Sequence, residues 1–210
     1  ILLFLRLDHI QDPYFYKVNF IHMMFNARLI VFSVILVAMA VASKIYFGDS
    51  NNWSGLSPVI AIALFSGMIM RRKNFSFLLP LMALLVSDAV IELLYRQGLF
   101  AYQGFYSGQW KNYLFLLLPT LIGWMLRGKN YGSLLAGAIA GPTVFFLVSN
   151  FSVWLGAHVL YSRDFSGLMS CYAAGLPFYK NALLGTLVFL PAIVVLYNFM
   201  TRQKTQLTLA

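Results

Sequence analysis

Two acidic residues inside one apolar run are the residues of this sequence best suited to chemistry. Asp88 and Glu92 lie four residues apart, so a helix through them places both carboxylates on one face. Ionisable groups within a membrane span are costly and usually face the bundle interior or a wet cavity. If both faced one cavity, their mutual repulsion would favour holding a proton or binding a cation. Alternatively, Glu92 reaches the membrane interface and Asp88 pairs with a neighbouring helix.

A polar and aromatic stripe is the second candidate site. Asn150, Trp154 and His158 recur at four-residue spacing, and Tyr161 follows them. On one helix face they could line a ligand pocket through hydrogen bonds and ring stacking. The alternative is structural, because tryptophan and tyrosine near a helix end are common interface anchors. A lone histidine at that level is often simply solvated.

The sequence contains no pattern typical of an enzyme or of a metal centre. It has no ordered nucleophile, base and acid, no zinc signature and no glycine-rich phosphate loop with its lysine. Cys171 is the single cysteine among the 210 residues, so no disulfide can form within this sequence. We therefore expect neither catalysis nor a bound metal, and any cofactor is unknown.

The elements that must position these residues are membrane helices. Of the 210 residues, 60% are hydrophobic and only 10% are charged, whereas a soluble domain carries about 25% charged residues. The net charge of +9 could suggest nucleic acid, but the basic residues stand at the ends of apolar runs rather than in one patch. That placement is typical of contact with lipid head groups. The composition predicts an all-α integral membrane protein that contacts membrane lipid and no nucleic acid.

Apolar runs of about 20 residues between charges predict six transmembrane helices. Their bounds are 29–47, 55–70, 75–95, 110–126, 131–161 and 181–200. The second run is short, and the fifth is too long for one straight span, so Gly141-Pro142 within it predicts a kink or a re-entrant break. The six spans make up a transmembrane domain over 27–202. We expect segment 1–26 to lie along the inner leaflet as interfacial helix, and 203–210 to form a cytoplasmic tail.

The basic residues predict the orientation of these spans. Ten fall on one side of the predicted membrane: Arg6, Lys17, Arg28, Arg71, Arg72, Lys73, Arg127, Lys129, Arg202 and Lys204. Five fall on the other: Lys44, Arg96, Lys111, Arg163 and Lys180. Because lysine and arginine accumulate in cytoplasmic loops, both termini are predicted to be cytoplasmic. The loop predicted over 162–180 is then the longest on the outer side.

Four stretches of the chain carry a resemblance to a known family. They are SGLSPVIAIALFSG (54–67), LPLMALLVSDAVIELLY (79–95), FFLVSNFSVWLG (145–156) and GLMSCYAAGLPFYKNALLGTLVF (167–189). Over residues 30–200 the chain resembles an uncharacterised family of proposed bacterial transport proteins. That family in turn resembles the S components of energy-coupling-factor transporters, which have six helices and capture vitamins or similar micronutrients at the outer face.

The resemblance implies an S-component-like bundle in the bacterial inner membrane, with the ligand bound in its outer half. The positions implied as ligand-binding are Asn52, Ser57, Asp88, Asn150, Trp154, Tyr172 and Asn181. S components dock on a membrane-coupling subunit through an Ala-x-x-x-Ala face of the first helix, and Ala38 and Ala42 match that spacing. The resemblance therefore implies partner membrane subunits.

These observations lead to three hypotheses of function. The first is a membrane subunit that captures a vitamin or another micronutrient, with ring stacking from Trp154 and hydrogen bonds from Asn52 and Asn150. Asp88 or Glu92 would supply charge. The alternative is an accessory or scaffold subunit of a larger bacterial membrane complex, respiratory, secretory or motility-related, which needs no ligand. The third is a proton-coupled secondary carrier that uses the two acids.

Overall fold

The computed structural model describes residues 13–48, 52–69, 73–126, 130–156 and 160–201, with side chains from residue 27 onward except at 73–75. Within these ranges the assigned elements are seven helices. They are α1 (Pro13–Phe47), α2 (Val59–Ile69), α3 (Lys73–Arg96), α4 (Trp110–Phe115), α5 (Leu117–Leu126), α6 (Tyr131–Gly156) and α7 (Phe165–Thr201). The prediction of an all-helical chain is confirmed for the described residues.

Four helical segments are long and apolar enough to cross a membrane. They are Ala27–Phe47 in α1, Ser76–Arg96 in α3, all of α6 and all of α7. At 1.5 Å per residue, a hydrocarbon core about 30 Å thick needs about 20 helical residues. The 11 residues of α2 and the 10 residues of α5 fall short of that length. Because four of its helices are long and apolar enough to cross a bilayer, the chain is a multi-pass membrane protein.

The short helix α2 forms the centre of the bundle. Every residue from Val59 to Met68 is buried. The four long helices and α5 form a ring around it, because α1 packs on α3, α3 on α5, α5 on α6, α6 on α7, and α7 on α1. Phe32, Phe65 and Tyr197 meet inside this ring with ring centroids 5.3 to 5.5 Å apart. A helix that is apolar on all sides belongs in such an interior position.

The outward faces of the ring helices are also apolar. Met125 in α5 is 84% exposed and Phe199 in α7 is 81% exposed, and large aliphatic side chains are exposed on the remaining ring helices. Soluble proteins rarely expose apolar surface so widely. Lipid is the medium that suits these faces, and close packing between helices then supplies the specificity of the fold.

Several element bounds differ from those expected. Residues 13–26 continue directly into the span as the first part of α1, and 1–12 lie outside the described residues. The expected loop over 162–180 is instead helical from Phe165 onward. The span expected over 110–126 divides into α4 and α5 at Leu116. Helix α6 ends at Gly156 rather than at 161, and it runs through Pro142 without a re-entrant break.

The N-terminus of α7 explains why its helix begins so early. The Asp164 carboxylate accepts hydrogen bonds from the Gly167 backbone N–H and the Ser162 hydroxyl, both at 2.7 Å. An aspartate in this position satisfies a backbone donor that the first helical turn leaves unpaired. The chain therefore starts a helix directly after Asp164, and this helix packs along α6.

Candidate functional site

A cavity of about 350 Å³ opens where α1 ends and α2 begins. Its walls are formed by Ser43, Lys44, Phe47, Gly48, Ser54, Gly55, Leu56, Ser57 and Tyr102. We call it the Lys44 cavity. It combines apolar side chains with hydroxyl groups and one ammonium, which is the mixture usual for sites that bind small organic molecules.

The non-helical segment 52–58 forms one wall of the Lys44 cavity and is held in place from two sides. The Asn181 side chain on α7 donates to the carbonyl oxygens of Asn52 at 2.9 Å and Ser54 at 2.8 Å. The Ser57 hydroxyl accepts a hydrogen bond of 3.3 Å from the Val59 N–H. Serine caps a helix in this way, and Pro58, which has no N–H, suits the position that follows. The wall is therefore fixed to α7 and to the start of α2.

Behind the opposite wall, an ion pair joins α1 to α3. The Lys44 ammonium donates to Asp88 Oδ1, while Gln109 and Tyr113 donate to Asp88 Oδ2. The Tyr113 bond is 2.6 Å long. Asp88 is only 2% exposed, whereas the Lys44 side chain is 24% exposed. The carboxylate is thus covered by its three donors, and Lys44 is the member of the pair that reaches the cavity.

Loop 97–109 packs over the same end of α3. Gly104 lies so close to this helix that a Cβ added there would overlap the Asp88 carbonyl oxygen. Beside it, Glu92 accepts hydrogen bonds from the Phe105 N–H at 3.3 Å and from the Arg96 guanidinium at 2.8 Å. The loop thereby brings Gln109 to Asp88 and Tyr102 to the cavity wall. Asp88 and Glu92 share a face of α3 but have separate partners.

The stripe on α6 serves the contact between α6 and α7. Asn150 donates to the Phe146 carbonyl at 2.9 Å, and its own carbonyl accepts a 3.4 Å contact from the Cys171 thiol. The Tyr172 hydroxyl donates to the Leu147 carbonyl at 2.9 Å. The first bond lies within α6, whereas the Cys171 and Tyr172 bonds join α7 to α6. None of these residues lines the Lys44 cavity.

Trp154 closes the turn between α6 and α7. Its indole N–H donates to the Ser162 carbonyl at 2.9 Å. The Arg163 guanidinium lies 5.7 Å from the centre of the Trp154 ring and donates to the Leu155 carbonyl at the end of α6. Ring and cation attract each other at this distance. His158, the third member of the predicted stripe, lies outside the described residues.

The structure distributes the predicted ligand-binding residues over three places. Ser57 lines the Lys44 cavity, and Asp88 lies one contact behind it. Asn52 and Asn181 hold the wall formed by segment 52–58. The others lie at loop 97–109 or between α6 and α7: Glu92, Asn150, Trp154 and Tyr172. Ligand binding by any of them stays a prediction, and so does the partner contact of Ala38 and Ala42, which are exposed on α1.

Sequence reasoning missed Lys44 as a site residue. It treated this lysine only as one of the charges on the outer side. The sequence shows only that Lys44 and Asp88 are opposite charges predicted at the same end of two spans, and it does not show that these spans are in contact. In the described part of the chain, no group of three or more His, Cys, Asp or Glu side chains is arranged to hold a metal ion.

Comparison with known proteins places this chain within a family but does not supply an activity. A sequence model for a family of unknown function, DUF6580, matches residues 23–207. No curated protein and no solved structure matches the chain.

Proposed function

We propose that this chain, which belongs to the DUF6580 family of unknown function, is the substrate-capturing subunit of a small-molecule importer in the bacterial inner membrane. The observation that carries the proposal is the Lys44 cavity at one end of a helix bundle with a lipid-facing exterior. Its volume of about 350 Å³ falls within the range of small-molecule sites. A vitamin or a similar micronutrient is the class of ligand we expect.

The construction of the cavity walls supports a binding site rather than an incidental gap in helix packing. Its walls come from α1, from segment 52–58 and from loop 97–109. Each wall is tied to a neighbouring helix, by the Lys44–Asp88 pair, by Asn181 and by Gln109 respectively. A site with fixed walls loses little conformational entropy when a ligand enters. The cavity is therefore suited to capture.

We further propose six passes through the bilayer, with both termini in the cytoplasm and the Lys44 cavity at the outer face. In this arrangement α2 with segment 52–58 makes one pass, and α4 with α5 makes another. The contacts between α3 and the pair α4–α5 support this arrangement. Near one end of α3, Asp88 accepts a hydrogen bond from Tyr113 of α4, and near the other end Phe77 packs on Trp124 of α5. The pair α4–α5 therefore extends along α3. Irregular backbone such as 52–58 is tolerated within a membrane where it lines a cavity.

Partner subunits complete the proposed importer. Energy for uptake would come from them, and the exposed pair Ala38 and Ala42 on α1 offers a surface for close helix contact. The same exposed pair supports a second candidate, an accessory or scaffold subunit of a larger membrane complex. The secondary carrier draws less support, because Asp88 and Glu92 are each held by their own hydrogen-bond donors.

Native mass spectrometry of the gently solubilised protein tests capture. Ser54→Trp fills the Lys44 cavity, and Ser107→Trp, at an exposed position of loop 97–109, is the matched control. We expect a small organic molecule to remain bound to the natural chain and to S107W but not to S54W. If S54W retains the same molecule, the cavity is not the site. If every form carries partner chains in fixed ratio and no small molecule, the scaffold function is favoured.

A further inference from the structure

We infer that the Lys44 cavity binds the anionic end of its ligand, a carboxylate or a phosphate group, through the Lys44 ammonium. The inference rests on the proposed function and names the class of substrate. It also reverses the sign of the charge expected from the sequence, where Asp88 and Glu92 were the candidates for binding.

Neither acid on α3 offers its charge to the cavity. Asp88 accepts from Lys44, Gln109 and Tyr113, so both carboxylate oxygens are engaged. Glu92 accepts from Arg96 and from the Phe105 N–H, and it does not line the cavity. A cationic ligand would have to break these bonds before it could reach either carboxylate.

Lys44 lines the cavity, and its ammonium is held by Asp88. An ammonium has three donors, and the contacts of Lys44 with described residues use one of them, for Asp88. Gln109 and Tyr113 stabilise the Asp88 carboxylate independently, so the pair does not require the remaining two donors. Because Asp88 already fixes the lysine, little side-chain entropy is left to lose when an anion binds.

The rest of the cavity adds to the positive potential. Among the described residues of its lining, Lys44 is the one charged side chain. Ser57 and Pro58 start α2 beside it, and the N-terminus of a helix carries a partial positive charge. Three residues that carry hydroxyl groups, Ser43, Ser54 and Tyr102, also line the cavity, and the Ser43 hydroxyl donates to the Ala40 carbonyl. Lysine charge, helix dipole and hydroxyl groups together favour an oxyanion next to an apolar body that contacts Phe47 and Leu56.

The decisive comparison is between two variants that both lack the Asp88 carboxylate. Asp88→Asn leaves Lys44 in place, while the double variant Lys44→Met with Asp88→Asn removes it without leaving a buried charge unpaired. Calorimetric titration of the solubilised proteins would use benzoate and inorganic phosphate as anionic probes and benzamide as the uncharged analogue of benzoate. Melting temperatures confirm that both variants are folded.

We expect both the natural chain and D88N to bind benzoate or phosphate, because the amide oxygen introduced in D88N can still accept a hydrogen bond from Lys44. The double variant should bind about ten- to a hundredfold more weakly, as expected for loss of one charge-assisted hydrogen bond. Benzamide should bind all three proteins weakly. Equal anion binding by D88N and the double variant, loss of binding in D88N, or no anion binding by the natural chain would overturn the inference.

The outcome separates this inference from the proposal of capture. If S54W abolishes binding of the copurified molecule but removal of Lys44 changes no anion affinity, capture stands and the anionic class is wrong. If the copurified molecule stays bound to S54W, capture at this site fails. The mass of that molecule distinguishes a phospholipid, which would bind through its phosphate head group, from a free organic acid, and either one supports an anionic ligand.

Discussion

The ion pair between Lys44 and Asp88 shows how far single residues could be interpreted from the sequence. An apolar run that contains an aspartate predicts a buried partner, and pairing with a neighbouring helix was one of the two interpretations of Asp88. The residue that supplies the opposite charge is determined by the contact between α1 and α3, which joins Lys44 to Asp88 across 44 positions of sequence. Local spacing carries no information on such a contact, and so Lys44 was not recognised.

Removing one member of the pair should destabilise the protein more than removing both. Lys44→Met leaves the Asp88 carboxylate buried without its cation, and we expect a loss of about 3 kcal/mol of unfolding free energy. The double variant with Asp88→Asn should recover most of that loss. Denaturant titration in detergent micelles measures both. A double variant as unstable as K44M would show that the loss does not come from an unpaired Asp88 charge.

The cap of α7 gives a prediction on pH. The N–H of Gly167 and then the Ser162 hydroxyl hold the pKa of Asp164 below its ordinary value of 3.8. A depressed pKa adds stability that is fully present above the unfolded-state value and is lost as the pH falls through the folded-state value. Asp164→Ala should therefore lower the melting temperature at neutral pH, and this effect should shrink as the pH falls below the unfolded-state pKa and through the folded-state pKa of Asp164.

Asp164→Asn is the matched control for this effect. Asparagine caps helices but does not titrate, so D164N should keep part of the stability that D164A loses. Its melting temperature should approach that of the natural chain as the pH falls through the folded-state pKa of Asp164. A constant difference between the natural chain and D164N at every pH would contradict the role of the charge.

At the scale of elements, helix type was easier to predict than helix extent. Apolar runs were enough to locate the spans in α1, α3 and α6. The early start of α7 was not predicted, because Tyr172, Pro177 and Lys180 read as loop residues, whereas in the structure the Asp164 cap and the packing on α6 sustain a helix through them. The shortness of α2 was visible, but its central position depends on how the other helices assemble.

The close packing of α2 on α5 gives a testable prediction about helix contacts and stability. A Cβ on Gly67 would overlap the Thr120 carbonyl oxygen, and one on Gly123 would overlap that of Leu64. Because backbone cannot move aside as a side chain can, Gly67→Ala or Gly123→Ala should each lower the unfolding free energy by about 1 to 3 kcal/mol.

Gly132 in α6 offers the control for the substitutions at Gly67 and Gly123. The nearest atom to a Cβ there is Asn130 Oδ1 at 3.5 Å, an ordinary contact. Gly132→Ala should leave stability unchanged or raise it by up to about 1 kcal/mol, since alanine favours the helix. If all three substitutions have the same effect in thermal unfolding, the approach of α2 to α5 does not limit stability.

At the scale of the whole molecule, composition was sufficient to predict the membrane class and insufficient to predict the site. Charge counts predict orientation, and the lipid-facing exterior follows from the apolar content. The Lys44 cavity, by contrast, is assembled from α1, segment 52–58 and loop 97–109. These pieces converge only through long-range contacts such as Asn181 with Asn52 and Gln109 with Asp88.

Cysteine labelling tests the proposed orientation in intact cells. In a Cys171→Ser background, which removes the buried native thiol, cysteine is placed at Gln103 or at Gly132, both exposed and at opposite ends of the proposed spans. A membrane-impermeant maleimide should label Gln103→Cys in intact cells and Gly132→Cys only after permeabilisation. The reverse pattern would invert the orientation, and labelling of both in intact cells would contradict six passes.

The burial of α2 also bears on the bilayer in which the protein resides. A helix of 11 residues that touched lipid would be far shorter than the hydrocarbon core, and the surrounding lipid would have to thin around it. Val59 to Met68 are shielded from lipid by the ring helices. The thickness of membrane that this protein prefers is therefore set by the ring alone, and a lengthened or shortened α2 should leave that preference unchanged.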